Sequence, residues 1–328
     1  MEQKMYKAVS LFCGCGGADL GLHGDFTYNE QYYDKLPFEI IYATDIDAKA
    51  VATYKKNFNG VVVVCDDIKA IKNETIPACD ILVGGFPCQS FSTVNPTKNP
   101  FDDRAQLYKE MVNVAKAKQP KIVIAENVKG FKTLHGGSIF NTVVSAFEKI
   151  GYKVSHSLIN ASDYGVPQKR ERVIIIAVRK DLQGDFEFPQ KTTENNKVPL
   201  SVAVPKIDIE DEKYYFSKRA VLGLKKAKNN MKRGLAQKLD EPCLTVTSHL
   251  AKTSLNSRDP VLLVDPEKEL YRRFTPREAA RIQSFPDTFE FAGSEFDSYK
   301  QIGNAIPPVM FWHIAKSISD FLSNETKK

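Results

Sequence analysis

Through roughly its first 180 residues the chain alternates short β-branched apolar runs with longer segments of helical period. The runs are Tyr6 to Phe12, Glu39 to Thr44, Val61 to Cys65, Asp80 to Val83, Lys121 to Ala125, Val154 to Asn160 and Val173 to Val178; Ala48 to Phe58, Ala105 to Lys118 and Ser138 to Ile150 read as amphipathic helices between them. Runs that are apolar on both faces belong to strands buried on both sides. Strands of that kind separated by helices predict an α/β fold: a doubly wound, mostly parallel sheet covered on each face. Sheets of this kind bind their ligands outside the carboxyl ends of the strands. The residues that close each run are therefore the first candidates for function.

After Lys180 the rhythm stops, and Gly184 to Leu270 breaks into short, Pro-punctuated segments. A chain of 328 residues is long enough for two unequal lobes. The expected division is a catalytic and cofactor-binding domain over 1–184 plus 303–328, a smaller irregular domain over 185–270, and a helical joint over 271–302. Thr275-Pro276-Arg277-Glu278 has the form of a capping box with proline at the first helical position, and predicts a helix through Ala279, Ala280 and Ile282. A last amphipathic helix is expected over Val309 to Leu322.

The net charge of +6 is unevenly spread. Lys213 to Lys238 holds nine basic residues and no acidic one, directly after Asp208, Glu210, Asp211 and Glu212. Hydrophobic residues at 42% and charged residues at 26% fit a folded globular chain. There is no apolar stretch of the roughly 18 residues a membrane span requires and no secretion-signal core, so a cytoplasmic protein without membrane association is expected. Six scattered cysteines do not make a disulfide framework, and reduced thiols are expected. Cys13-Gly14-Cys15 lacks a second close Cys or His pair, so no metal is expected.

The strand ends carry the chemistry. Leu11-Phe12-Cys13-Gly14-Cys15-Gly16-Gly17 follows the first run, a glycine-rich turn suited to a ligand at a helix start. It is not the dinucleotide fingerprint, because Asp19 stands where the third glycine of G-x-G-x-x-G belongs. Thr44-Asp45-Ile46-Asp47 ends the second run and Asp66-Asp67-Ile68 the third. Each acid alone would suit a helix cap; a glycine-rich loop and two acids on three successive strand ends point to an adenosine-containing cofactor. The fourth run leads into Gly84-Gly85-Phe86-Pro87-Cys88-Gln89-Ser90-Phe91-Ser92, which delivers a cysteine, a nucleophile once ionised, to the same edge. Glu126-Asn127-Val128 and Gln168-Lys169-Arg170-Glu171-Arg172 add a carboxylate and guanidinium groups. Arg170, Glu171 and Arg172 alone would read as a surface ion-pair network.

The ordered set Phe12-x-Gly14-x-Gly16-Gly17, Pro87-Cys88-Gln89-Ser90, Glu126-Asn127-Val128, Gln168-x-Arg170-x-Arg172, Arg273 to Pro286 and Gly303-Asn304 closely resembles the DNA cytosine-5 methyltransferases, above all the compact bacterial modification enzymes. The resemblance spans nearly all of the chain outside 185–243. It departs from the family pattern at Ser10, where aspartate is common, at the two cysteines flanking Gly14, and at Ala105, where glycine is common.

The resemblance implies a Rossmann-like fold with a target-recognition domain, S-adenosylmethionine as cofactor and S-adenosylhomocysteine as product. It assigns Cys88, Glu126, Arg172 and Arg170 to the catalytic centre, Arg170 in support with Asn127. Phe12, Gly14, Gly16, Gly17, Asp45, Ile46, Asp67, Ile68, Pro87, Leu107 and Asn304 go to the cofactor. Gln89 to Leu107 becomes a mobile loop that closes over a flipped base, with Gln89, Ser90, Ser92 and Arg104 available to DNA. The basic run falls where the family keeps target recognition, so Lys225, Lys226, Lys228, Lys232 and Arg233 are expected on phosphates. Glu241 to Thr247 resembles the Thr-Leu-Thr segment that ends that region. Double-stranded DNA is the implied partner of a monomer, together with a cognate restriction endonuclease acting on the same site.

Three other readings stay in view. A same-fold RNA (tRNA) cytosine-5 methyltransferase shares the cysteine and cofactor motifs. A non-catalytic DNA-binding relative would be expected to have lost Cys88 or Glu126, and both are present. A nicotinamide dehydrogenase is disfavoured by the missing third glycine.

Overall fold

The computed structural model describes residues 4–87, 107–226, 236–252 and 259–325. Its centre is a seven-stranded sheet: β1 Tyr6–Leu11, β2 Phe38–Asp45, β3 Val62–Cys65, β4 Ile81–Gly84, β5 Ile122–Val128, β6 Tyr152–Asn160 and β7 Glu171–Arg179. In these labels the strand order is β3-β2-β1-β4-β5-β7-β6. The helices are α1 Gly17–His23, α2 Ala48–Asn57, α3 Tyr108–Lys118, α4 Ser138–Lys149, α5 Lys218–Lys226, α6 Pro276–Ile282, α7 Glu295–Asn304 and α8 Pro308–Glu325.

β1 pairs in parallel with β2 on one side and β4 on the other, and the parallel ladder extends to β3 and β5. β7 is the exception: it runs antiparallel to both β5 and β6. The reason is local. The ten residues between Asn160 and Glu171 hold only a 3-10 turn and a two-residue strand, too little for a crossover, so the chain returns as a hairpin. The strand order reverses between β1 and β4, which opens a crevice at their carboxyl ends.

The two faces of the sheet are buried separately because successive strand residues point to opposite sides. Ala8, Ile81, Val83, Ile122, Ile124, Ile174 and Ile176 pack with Val309, Phe311, Ile314 and Ile318 of α8. Val9, Leu82, Val123, Ala125, Val173 and Ile175 pack with Met111 and Val114 of α3 and Phe140, Val143 and Phe147 of α4. A hairpin of Phe26–Tyr28 with Gln31–Tyr33, not anticipated from the sequence, adds Phe26, Tyr28 and Tyr33 to the first face.

A third core lies outside the sheet and joins Leu200, Cys243, Val246, Leu262, Phe274, Ile282, Phe285, Tyr299 and Ile302 to Cys15 of the loop after β1. The predicted capping box is present: the Thr275 hydroxyl accepts from the Glu278 N–H while the Glu278 carboxylate accepts from the Thr275 N–H. Glu278 also takes a bidentate bond from fully buried Arg272 at 2.7 and 2.8 Å. A second capping box, Ser294 with Asp297, starts α7. Among the described residues no helix is long and apolar enough to cross a membrane.

Candidate active site

The loop after β1 is tied to β2 through Asp45. Cys13 N–H donates to the Thr44 carbonyl at 3.0 Å. One Asp45 oxygen accepts from Gly14 N–H and the other from Asp47 N–H, both at 2.8 Å. Burial raises the Asp45 pKa, and those backbone bonds work against the rise. Gly16, at φ +95°, begins α1, and a Cβ there would fall 2.3 Å from the Phe58 ring. A Cβ on Gly17 would fall 2.4 Å from the Ile306 carbonyl oxygen. Two adjacent glycines thus let the loop close on α2 and on the segment before α8.

A cavity of about 530 Å³ opens in front of this loop, at the switch point of the sheet. At one end it is lined by Phe12, Gly14, Gly17, Asp45, Ile46, Asp67 and Ile68. Ile46 is 69% exposed, an apolar side chain on the rim that the fold leaves uncovered. Asp67 accepts from Lys69 N–H at 3.0 Å and so shapes the turn after β3. Asp47 caps α2 and pairs with Lys300 of α7 at 2.7 Å.

At the other end the lining is Gly84, Gly85, Phe86, Pro87, Leu107, Glu126, Asn127, Arg170 and Arg172. Arg172 on β7 stands opposite Val128 on β5, two places from Glu126, so the two side chains share a face and meet diagonally. Arg172 Nε lies 2.8 Å from Glu126 Oε1. Burial lowers the Arg172 pKa and the Glu126 carboxylate raises it in turn. Glu126 Oε2 points toward Gly85, where a Cβ would come within 3.0 Å of it. Asn127 Nδ2 donates to the Phe86 carbonyl at 3.0 Å and holds the strand end that leads to the cysteine. Cys88 itself lies outside the described residues; Pro87, immediately before it, lines the cavity.

The Gln168 to Arg172 stretch divides its work by period 2. Gln168 donates to the Ile282 carbonyl and the Gln283 side chain and accepts from Val246 N–H. Arg170, fully buried, donates to the carbonyls of Val246, Gly303 and Ala305 at 2.9 to 3.0 Å. Arg172 reaches Glu126. Lys169 and Glu171 face the other way, onto Glu241 and Lys129. The surface-pair reading thus holds for Glu171, whereas Arg170 works as a clamp: it lines the cavity, but three backbone oxygens take its two terminal nitrogens, and Nε alone has no partner among the described residues.

Of the expected cofactor residues, Gly16 alone does not line the cavity. Asn304, the last residue of α7, is brought in beside the loop after β1. A Cβ on Gly303 would fall 2.2 Å from the backbone of Thr247 and Ser248, so that backbone packs directly on this wall. Lys300, Gln301 and Ile306 also line the cavity and were missed. The Ser294-x-x-Asp297 pattern was the available signal, since a helix begun there ends at Asn304. Gln89, Ser90, Ser92, Arg104, Lys228, Lys232 and Arg233 lie outside the described residues; Lys225 and Lys226 end α5. Both ends of the basic run are paired: Lys213 with Glu295 and Asp211, and Lys238 with Glu241. Among the described residues no cluster of His, Cys, Asp or Glu could hold a metal.

A family model described as C-5 cytosine-specific DNA methylase matches residues 6–320. The chain is 34% identical to the Type II methyltransferase M.FnuDI of Fusobacterium nucleatum over 98% of its length and 96% of the relative's. It is likewise 34% identical to the Type II methyltransferase M.NgoPII of Neisseria gonorrhoeae, over 96% of each. In fold it is similar to the Entamoeba histolytica methyltransferase EhMeth, with a TM-score of 0.75 and 21% identity over 98% of this chain and 99% of the other.

Proposed function

Since the chain belongs to the C-5 cytosine-specific DNA methylase family, its activity is methylation of carbon 5 of cytosine in DNA, and we propose that the cavity at the switch point is where this occurs. The observation that carries this reading is the Glu126–Arg172 pair, 2.8 Å apart in the same cavity as the glycine loop and Pro87.

The cavity suits S-adenosylmethionine. Its volume lies within the roughly 300–1,000 Å³ of small-molecule sites. The buried Thr44 hydroxyl is left without a hydrogen-bond partner among the described residues, and Asp45 and Asp67 add carboxylates to the same wall. Phe12, Ile46 and Ile68 would hold the adenine, Asp45 and Asp67 the ribose hydroxyls and adenine amino group, and Gly14, Gly17, Pro87, Leu107 and Asn304 the remainder. When bound, the cofactor supplies an electrophilic methyl group.

Carbon 5 of cytosine is too weak a nucleophile to accept that group unaided. The Cys88 thiolate adds to carbon 6 and makes carbon 5 the nucleophilic end of an enamine. A free thiol has a pKa of about 8.5 and only a few per cent is ionised at neutral pH, so its surroundings must favour the thiolate. Glu126, held at Oε1 by Arg172, keeps Oε2 for the ring nitrogen 3 and 4-amino edge, and Arg172 binds the 2-oxo group. A base takes the carbon 5 proton, and Cys88 leaves carbon 6 as the thiolate, which releases the 5-methyl base.

The target carbon is inaccessible in a duplex, so the base is flipped at a cost of a few kcal/mol. We assign the repayment to DNA contacts from Gln89, Ser90, Ser92 and Arg104 and from Lys225, Lys226, Lys228, Lys232 and Arg233. In this division residues 1–184 and 303–328 perform chemistry, 185–270 recognise the target and 271–302 join the two. A modification role beside a restriction endonuclease, in the cytoplasm and as a monomer, completes the proposal. The test is methylation of duplex DNA and of transfer RNA by the purified protein, with bisulfite mapping of 5-methylcytosine. Modification of one DNA sequence context is expected; modification of RNA alone would overturn the proposal.

A further inference from the structure

Asp19, in the first turn of α1, is completely buried, and neither carboxylate oxygen has a hydrogen-bond partner. The Ser10 and Tyr54 hydroxyls lie beside it and favour its charged form without closing a bond of ordinary geometry. It makes no ion pair among the described residues. The titratable groups that face it are Cys13, Cys15 and Tyr54, and the nearest carboxylate with which it shares a neighbour is Asp45, already bonded to two backbone N–H groups. None of these is a cation. Further along the rim Lys300 is taken by Asp47.

An unpaired buried carboxylate is costly, and a well-packed apolar side chain would avoid the cost. Asp19 does not line the cavity, but its neighbours do. Ser10, Cys13, Cys15, Gly17 and Ala18 all line the cavity, so one layer of side chains and backbone separates Asp19 from the ligand space. Through that dry layer a charge acts with little screening.

We propose that Asp19 is a specificity-determining residue that reads charge: it favours S-adenosylmethionine, whose sulfonium is cationic, over S-adenosylhomocysteine, whose thioether is neutral. The inference rests on the cavity being the cofactor site. Substrate and product share their adenosine, amino and carboxylate groups, so the ratio of their affinities isolates the sulfonium. Asp19 would then assist exchange of spent product for fresh cofactor without touching either. Desolvation lifts its pKa to about 6, so this preference should be lost on acidification. The sign follows from protonation: above that value the carboxylate is charged and selects the cation, and below it Asp19 is neutral and selects nothing.

The experiment is calorimetric titration of both ligands into wild-type protein and Asp19→Asn between about pH 5 and pH 8. Expected for wild type is a preference for S-adenosylmethionine at the upper pH that shrinks about tenfold toward the lower, with its midpoint near 6. Asp19→Asn should weaken S-adenosylmethionine about tenfold at the upper pH, change S-adenosylhomocysteine by less than about twofold, and flatten the pH response. Equal losses for both ligands, or a wild-type ratio indifferent to pH, would overturn the proposal while leaving the cofactor site intact. Failure of wild type to bind either ligand would remove the cofactor site as well. Should Asp19→Asn not fold, the wild-type pH series decides alone.

Discussion

The two ends of the cavity are built differently. The wall at the ends of β1, β2 and β3 is set by backbone: Asp45 accepts two main-chain N–H bonds, and Gly16 and Gly17 admit close approach. The wall at the ends of β4, β5 and β7 is set by side chains: Glu126 leans on Arg172, Asn127 holds Phe86, and Arg170 clamps three carbonyls. A backbone-built wall suits a ligand that every turnover brings back in the same form. A wall of charged side chains suits a base whose charge changes during reaction. Loss of one contact should therefore cost affinity at the first wall and rate at the second.

The largest effect is expected at the second wall. Cys88→Ala should lower methyl transfer by about four orders of magnitude or more, and Glu126→Gln by about 10²–10³, with S-adenosylmethionine affinity within about twofold of wild type in both. Single-turnover methylation beside calorimetry checks this, and a large affinity loss in either variant would erase the contrast between the walls. Arg170→Lys retains the charge but loses the planar fork. It should cost about 2–4 kcal/mol of stability by denaturant unfolding, since buried carbonyls lose their donor. A variant of wild-type stability with depressed kcat would instead return Arg170 to the catalytic group.

At the first wall Asp45→Ala should weaken S-adenosylmethionine by about 1.5–3 kcal/mol, and leave the rate at saturating cofactor little changed. A rate defect at saturation would break the comparison from the other side. The smallest effect is expected outside the cavity. Replacing Lys225, Lys226 and Lys228 with glutamine should weaken target and non-target duplexes alike and reduce the salt slope by roughly 0.9 per lost phosphate contact. An unchanged slope would assign that part of the run, like Lys213 and Lys238, to internal pairing or solvent.

The sheet was legible because its strands are apolar on both faces and its helices keep a 3.6 period, two patterns that local sequence displays directly. Even β7 had a readable sign, the lack of a helical segment between Asn160 and Glu171, although nothing local states which neighbours it would pair with. The third core was opaque because Leu200, Cys243 and Leu262 reach it from segments too short to show a period. Within the site, Asp45 and Glu126 were expected from the strands they close and Arg172 from the strand it opens, and all three line the cavity. Arg170 could not: period 2 puts it on the same face as Gln168 and Arg172, but which of the three meets a ligand depends on the carbonyls of Val246, Gly303 and Ala305 arriving from distant chain. Asp19 showed only as the residue that breaks a dinucleotide fingerprint; its isolation depends on how α1 and α2 pack.

The division between the walls rests on covalent chemistry at Cys88, and one measurement addresses that directly. A duplex carrying 5-fluorocytosine at the target position cannot lose its carbon 5 substituent as a proton, so the cysteine cannot be expelled once methylation has occurred. With S-adenosylmethionine present, the expected result is a complex that survives denaturation, with mass spectrometry placing the base on Cys88. Efficient methylation of ordinary cytosine with no trapped complex, or trapping on another residue, would contradict it.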